Sequence, residues 1–249
     1  MENRNESAAS ASRVFTRLSK TTCSSVDLEA ASKPPAVADQ LNPRNNMPSA
    51  NQRPGPGQRI PLPVERVQST IPKADFNPAH QAEASRTWVY PSEQMFYNAM
   101  KRKGWQPKEE DMASVVAIHN TVNEECWRQI LAYEQLHSEG ENPRLISFCG
   151  RPKDYSPKAR FLNFLGYKLP FDRHDWVVDR CGTEVRYVID FYNGAPQPGQ
   201  PIAMHLDVRP ALDSFSALFD RLQLQAKWTF SGDWMGSSPA KPASDKASQ

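Results

Sequence analysis

Between Lys108 and Ser138, apolar residues recur at Met112, Val115, Val116, Val122, Trp127, Ile130 and Leu131. That spacing of about 3.6 residues predicts a long helix with one buried face. A shorter helix is predicted from Ser92, a good N-cap, to about Gly104, with Met95, Phe96, Ala99 and Met100 on its apolar side. The stretch Trp88 to Ser92 ahead of it reads as extended, because Tyr90 precedes a proline. Ser156 to Gly166 predicts a third helix, with Pro157 in its first turn and Gly166 as its stop. The period then changes to two. Val185, Tyr187 and Ile189 alternate with Arg186, Val188 and Asp190, a strand signature, and Asn193-Gly194 opens a turn toward a returning strand from Met204 to Val208. Ala211 to Gln223 follows as an amphipathic helix carrying Leu212, Phe215, Leu218, Phe219 and Leu222 on one side. The sum is an α+β fold, helices packed on a small antiparallel sheet.

One polar residue interrupts the long apolar stripe. His119 lies four positions after Val115 and three after Val116, so it points along the same face. Spacing alone leaves two readings open: a core histidine bonded to a neighbour, or a metal ligand. His137 is five helical turns on, about 27 Å along the axis, and Cys126 is about 10 Å away, so neither can share one ion with His119. If His119 binds a metal, it does so as a lone ligand, a pattern that suits axial ligation of heme iron.

Composition narrows the class. Thirty basic against 28 acidic residues leave a net charge of +2, which gives no electrostatic footprint for nucleic acid. No apolar run approaches the roughly 18 residues of a membrane span, so attachment to a membrane is expected to be peripheral at most. Cys23, Cys126, Cys149 and Cys181 form no Cys-x-x-Cys pair, which argues against a zinc ribbon or a dithiol redox site. Residues 1–85 hold ten of the 22 prolines and none of the six tryptophans, and are expected to form a disordered arm. Residues 86–234 are the expected folded domain, and 235–249 a disordered tail. Arg13, Arg17 and Lys20 around Val14, Phe15 and Leu18 resemble a short mitochondrial transit segment, against which Glu2 and Glu6 weigh.

Five segments in order carry a family resemblance: Trp88 to Met100 (WVYPSEQMFYNAM), Ile118-His119-Asn120, Leu169 to Trp176 (LPFDRHDW), Arg180 to Asp190 (RCGTEVRYVID) and Leu206 to Ser214 (LDVRPALDS). Together they resemble the holocytochrome c synthase, or cytochrome c heme lyase, family over residues 86–224. The resemblance implies an enzyme on the intermembrane-space side of the mitochondrial inner membrane. It would act on heme b as substrate and on apocytochrome c, or its relative apocytochrome c1, forming two thioether bonds at a Cys-x-x-Cys-His sequence. A non-covalent heme carrier is the alternative from a different functional class, and a scaffold with His119 as a core residue is a third.

By the same resemblance His119 is the axial ligand of heme iron, with Asn120 beside it, and Glu124 is a second catalytic-site residue. Glu124 sits about 140° round the helix from His119, so support of structure or substrate docking is expected of it. Trp88, Tyr90 and Met100 match positions linked with heme contact, and each is equally an ordinary core residue. His174, between Asp172 and Asp175, is a candidate heme-site or substrate contact, or part of a salt-bridged surface loop. Arg180, with Arg173, Arg186 and Arg209, is suited to heme propionates, or else pairs with nearby aspartates. The Cys-Pro heme-regulatory motifs that many members carry in the arm are missing, since Cys23 precedes Ser24.

Overall fold

The computed structural model describes residues 51–74, 86–137, 142–194, 203–213 and 215–231. Strands β1 (Gln68–Pro72) and β2 (Thr87–Val89) make a two-stranded antiparallel ladder, followed by helices α1 (Glu93–Arg102) and α2 (Met112–Glu134). A four-stranded antiparallel sheet follows, from β3 (Arg144–Gly150), β4 (Asp172–Arg180), β5 (Thr183–Asn193) and β6 (Met204–Pro210), paired in chain order. Helix α3 (Pro157–Phe164) lies in the connection between β3 and β4. The chain forms two compact units, Met1–Ala211 and Leu212–Gln249, and the described helix of the second is α4 (Phe215–Ser231). The α+β architecture is the one the patterning predicts.

The caps act as their residue types require. Ser92 Oγ accepts from Met95 N at 3.2 Å, and Ser156 Oγ accepts from Ala159 N at 3.1 Å with Pro157 in the first turn. Gly166 ends α3 in the left-handed region, φ +93°. Tyr167 N then donates to Leu162 O and Gly166 N to Asn163 O, the paired bonds of a Schellman cap. The β4–β5 hairpin turns on Cys181 and Gly182, both at positive φ, as a two-residue turn with primed geometry demands.

Register assigns each sheet residue a face. His174, Trp176, Val178 and Arg180 of β4 share one with Tyr187, Ile189 and Phe191 of β5 and with Val208 of β6. That face meets α2, because Glu134 at the end of α2 bonds Arg180 (2.6 and 3.0 Å) and accepts from the Tyr187 hydroxyl. The other face carries buried charge. Arg173 pairs with Asp175, and Arg209 with Asp190 and Asp207. Helix α3 covers it through Ser156 Oγ on Asp190 (2.6 Å) and Lys158 Nζ on Asp207 (2.7 Å).

Four expectations are corrected. The long helix begins at Met112 after a 3₁₀ turn (Glu109–Asp111) and stops at Glu134, so His137 lies beyond it. Glu134 is fully buried on Arg180, which fixes that end of the helix against the sheet. The segment 172–176 is strand, not loop; its charges are buried in pairs, so polarity does not mark it as surface. The last helix starts at Phe215 rather than Ala211. Residues 51–74 of the expected arm are ordered: Leu62 is buried with Tyr97, Met100, Met112, Val115 and Val116, and β1 pairs with β2. Cys23, His80, the basic segment near Arg17 and the tail from 235 lie outside the described residues.

Candidate functional site

On α2 the residues either side of His119 along the stripe, Val115, Val116, Val122 and Cys126, are buried, whereas His119 itself keeps intermediate exposure. The stripe opens there. Phe96 of α1 meets the imidazole edge-on with ring centroids 5.1 Å apart, and Tyr90 does so at 5.8 Å. Nδ1 lies 3.1 Å from Asn120 Oδ1, so Nδ1–H donates to the amide oxygen and the Nε2 lone pair is left available. Among the described residues Nε2 has no hydrogen-bond partner. Desolvation lowers the His119 pKa to about 4, with the charges of His174 and Lys103 adding to it and the Asn120 bond opposing it. The ring is therefore a neutral, oriented imidazole near pH 7.

Glu124 is spoken for. Its carboxylate accepts from Tyr90 Oη at 2.9 Å, from Thr70 N at 3.1 Å and from the Thr70 hydroxyl. Burial first, then the bond and charge of Glu124, push the Tyr90 phenol well above its ordinary pKa, so Tyr90 keeps its proton and its donor role. With three donors on it, Glu124 ties β1 and Tyr90 to α2, one turn from His119. It thereby fixes the Tyr90 ring that lies beside His119.

His174 faces the α2 side of the sheet. Nε2 stands 3.6 Å from Asp172 Oδ2, and Phe191 meets the ring at 5.2 Å. Gly150, its partner on β3, leaves room for it: a Cβ there would fall 2.9 Å from Nε2. Burial raises the Asp172 pKa, opposed by His174 and Lys103. Asp175 faces the opposite side of the sheet with Arg173 and Arg186, so only one of the two flanking carboxylates reaches this histidine.

The other sequence candidates lie deeper. Trp88 is buried on Phe148 at 5.2 Å, with Nε1 on Leu145 O at 3.3 Å, and Met100 belongs to the cluster around Met112. Both are buried core residues. The Arg180 guanidinium is buried on Glu134, and six residues of strand put it about 20 Å from His174. It is a structural residue of the α2–sheet contact. Arg173, Arg186 and Arg209 likewise hold carboxylates. Sequence reasoning missed Phe96 and Thr70, which touch the site or its support. Phe96 reads as the core face of α1, and Thr70 falls in a segment whose composition suggests disorder.

Chemically, His119 could serve only as a lone ligand among the described residues. Among the described residues no group of three His, Cys, Asp or Glu could hold a metal ion. Cys126 is buried and its thiol is pushed up by desolvation, so it is no nucleophile. A neutral imidazole with a free Nε2, edged by two aromatic rings, fits one axial bond to a flat iron macrocycle.

The model of the cytochrome c/c1 heme lyase family matches residues 1–142 and 138–225. The chain is 49% identical over 202 residues to the holocytochrome c-type synthase of Bos taurus, covering 78% of this chain and 70% of the relative. It is 48% identical over 201 residues to that of Gallus gallus, covering 78% and 71%. To the holocytochrome-c synthase of Saccharomyces cerevisiae it is 39% identical over 209 residues, covering 74% and 75%. No solved structure matches.

Proposed function

The chain belongs to the cytochrome c/c1 heme lyase family, and on that premise we propose that it is a holocytochrome c synthase using His119 as its axial ligand to heme iron. It is an enzyme of the carbon–sulfur lyase type by that membership, acting on heme and on apocytochrome c or c1. The observation that carries the site assignment is the oriented, neutral His119 with Nε2 open at a gap in an otherwise buried stripe.

Each residue has a stated task. His119 offers Nε2 to the iron of heme b. Asn120 fixes the ring by accepting from Nδ1, which also raises the basicity of the ligating nitrogen. Phe96 and Tyr90 supply flat apolar walls, and Glu124 holds Tyr90 in place. His174, on the sheet face that α2 covers, is kept as a candidate further contact of heme. When bound, heme supplies two vinyl groups, and each substrate thiol adds S to one vinyl carbon and H to its neighbour. The substrate thiols are the nucleophiles, and the chain's part is orientation: His119 would hold the iron so that the histidine and two cysteines of the substrate's Cys-x-x-Cys-His are brought to the heme. The substrate cysteines must arrive reduced.

Co-expression with apocytochrome c in a host without other maturation enzymes tests this. Acid–acetone extraction should leave heme on the product, because thioethers survive it. A folded, heme-loaded chain whose product gives up all its heme identifies a non-covalent carrier instead. His119→Ala should abolish the low-spin heme spectrum of the purified chain, and an unchanged spectrum refutes the ligand assignment. We place its action at the intermembrane-space surface of the mitochondrial inner membrane, to be checked by protease protection and carbonate extraction of mitochondria.

A further inference from the structure

Helix α3 presents to solvent what a core helix hides. Phe161, Phe164, Leu165 and Tyr167 are 62, 86, 54 and 63% exposed, within one turn of helix and the cap that follows. They are not on a loose end. Ser156 caps the helix and is bonded to Asp190 and Arg209 in the sheet, Lys158 is paired with Asp207, and the Schellman bonds fix the turn at Gly166. Asn163 Nδ2 adds a bond to Tyr167 O at 2.9 Å. An exposed apolar cluster held this firmly marks a contact surface rather than a frayed segment.

The charge within the segment itself is of one sign. From Tyr155 to Phe171 the chain carries Lys158, Arg160 and Lys168 and no acidic residue. Arg160 and Lys168 have no carboxylate partner among the described residues. Two copies of such a surface would repel each other, which disfavours self-association through it. A stable protein interface needs roughly 20–30 residues a side, far more than this cap offers. A bilayer requires only a few inserted aromatic and aliphatic side chains with cations at the headgroups.

We propose that the α3 cap is a membrane-docking element: Phe161, Phe164, Leu165 and Tyr167 enter an anionic lipid surface while Arg160 and Lys168 contact its headgroups. This rests on the reading that the chain works at a membrane surface, and adds which part of it touches lipid. It also sets an orientation. Helix α3 lies on the charged face of the sheet and α2, with His119, on the other, so the sheet separates the lipid contact from the heme site.

Full-length chain is sedimented with vesicles of phosphatidylcholine alone or mixed with phosphatidylglycerol. Wild type should pellet with the mixed vesicles, and Phe164→Ser/Tyr167→Ser should lose about tenfold or more of that affinity. Arg160→Glu/Lys168→Glu should lose binding to the anionic vesicles specifically. Both variants should keep the wild-type heme spectrum and thermal midpoint, since the substituted side chains are exposed. If the variants bind as wild type does, this surface is the wrong one while membrane action stands. If wild type binds neither vesicle, both fall, and an acidic protein partner becomes the explanation of the patch. Equal binding of wild type to the two vesicle types overturns the role of charge.

Discussion

At the residue scale the protonation state of His119 decides what the site can do. Its folded pKa is lowered to about 4 by burial against an ordinary 6.5, so the ring stays unprotonated over the whole neutral range. Between those values the unfolded chain binds the proton and the folded chain does not. Stability from this group is therefore fully present above about pH 6.5 and is lost as pH falls toward 4. In urea titrations the wild-type midpoint should drop between these pH values more steeply than that of His119→Gln. The ring's NMR titration should show a midpoint near 4 in the heme-free chain. Asn120→Ala removes the partner of Nδ1 and frees the ring to rotate, and should weaken heme binding about 10–100-fold while barely moving the thermal midpoint. An Asn120→Ala chain that binds heme as tightly as wild type rules out this orienting role.

At the scale of elements, α2 is held at two places by carboxylates, and they differ in kind. Glu124 reaches β1 and Tyr90 across a partly exposed seam, whereas Glu134 is fully buried on Arg180 and Tyr187. Removing one member of the buried pair strands a charge, so Glu134→Ala should cost about 3–5 kcal/mol. Glu134→Gln with Arg180→Met should recover much of it, by chemical denaturation. A cost below about 1 kcal/mol for the single variant would show that the pair does not anchor the helix. This contact also explains what sequence could and could not tell. The stripe, the cap at Ser92, Pro157 at the start of α3, the stop at Gly166 and the returning strand were all legible, because each depends on local chemistry. Strand β4 was not, since Arg173, Asp175 and Arg180 are charged yet buried, which makes the period-two signal unreadable. The Cys181-Gly182 turn escaped for a related reason: cysteine is a poor marker of positive φ. At the site His119 stood out as a polar residue on an apolar face. Arg180 was ambiguous in the sequence because a guanidinium suits a propionate and a buried glutamate equally well, and only packing reveals the Glu134 partner.

At the scale of the whole molecule, the boundary between arm and domain has a functional consequence. Residues 51–74 average out as Pro-rich and polar, but specific bonds order them: Arg66 donates to Val89 O and Tyr90 O, Arg59 N and Ile60 N donate to Glu109, and Gln58 bonds Gln94. Leu62 fills the cluster beneath α1 and α2, and Thr70 completes the Glu124 junction behind Tyr90. The candidate site around His119 is thus built partly from a segment composition assigns to the arm. Leu62→Ala should cost about 2–4 kcal/mol as a buried large-to-small change. Thr70→Val keeps the volume but removes the hydroxyl from Glu124, and should loosen Tyr90 with little loss of global stability. Hydrogen exchange separates the two effects: Leu62→Ala should speed exchange throughout α1 and α2, whereas Thr70→Val should speed it only in β1, β2 and the adjoining turn of α2. Heme affinity should fall in both. If Thr70→Val leaves affinity and local exchange at wild-type values, the Glu124 junction is not what holds the wall of the site, and Phe96 with the helix itself suffices.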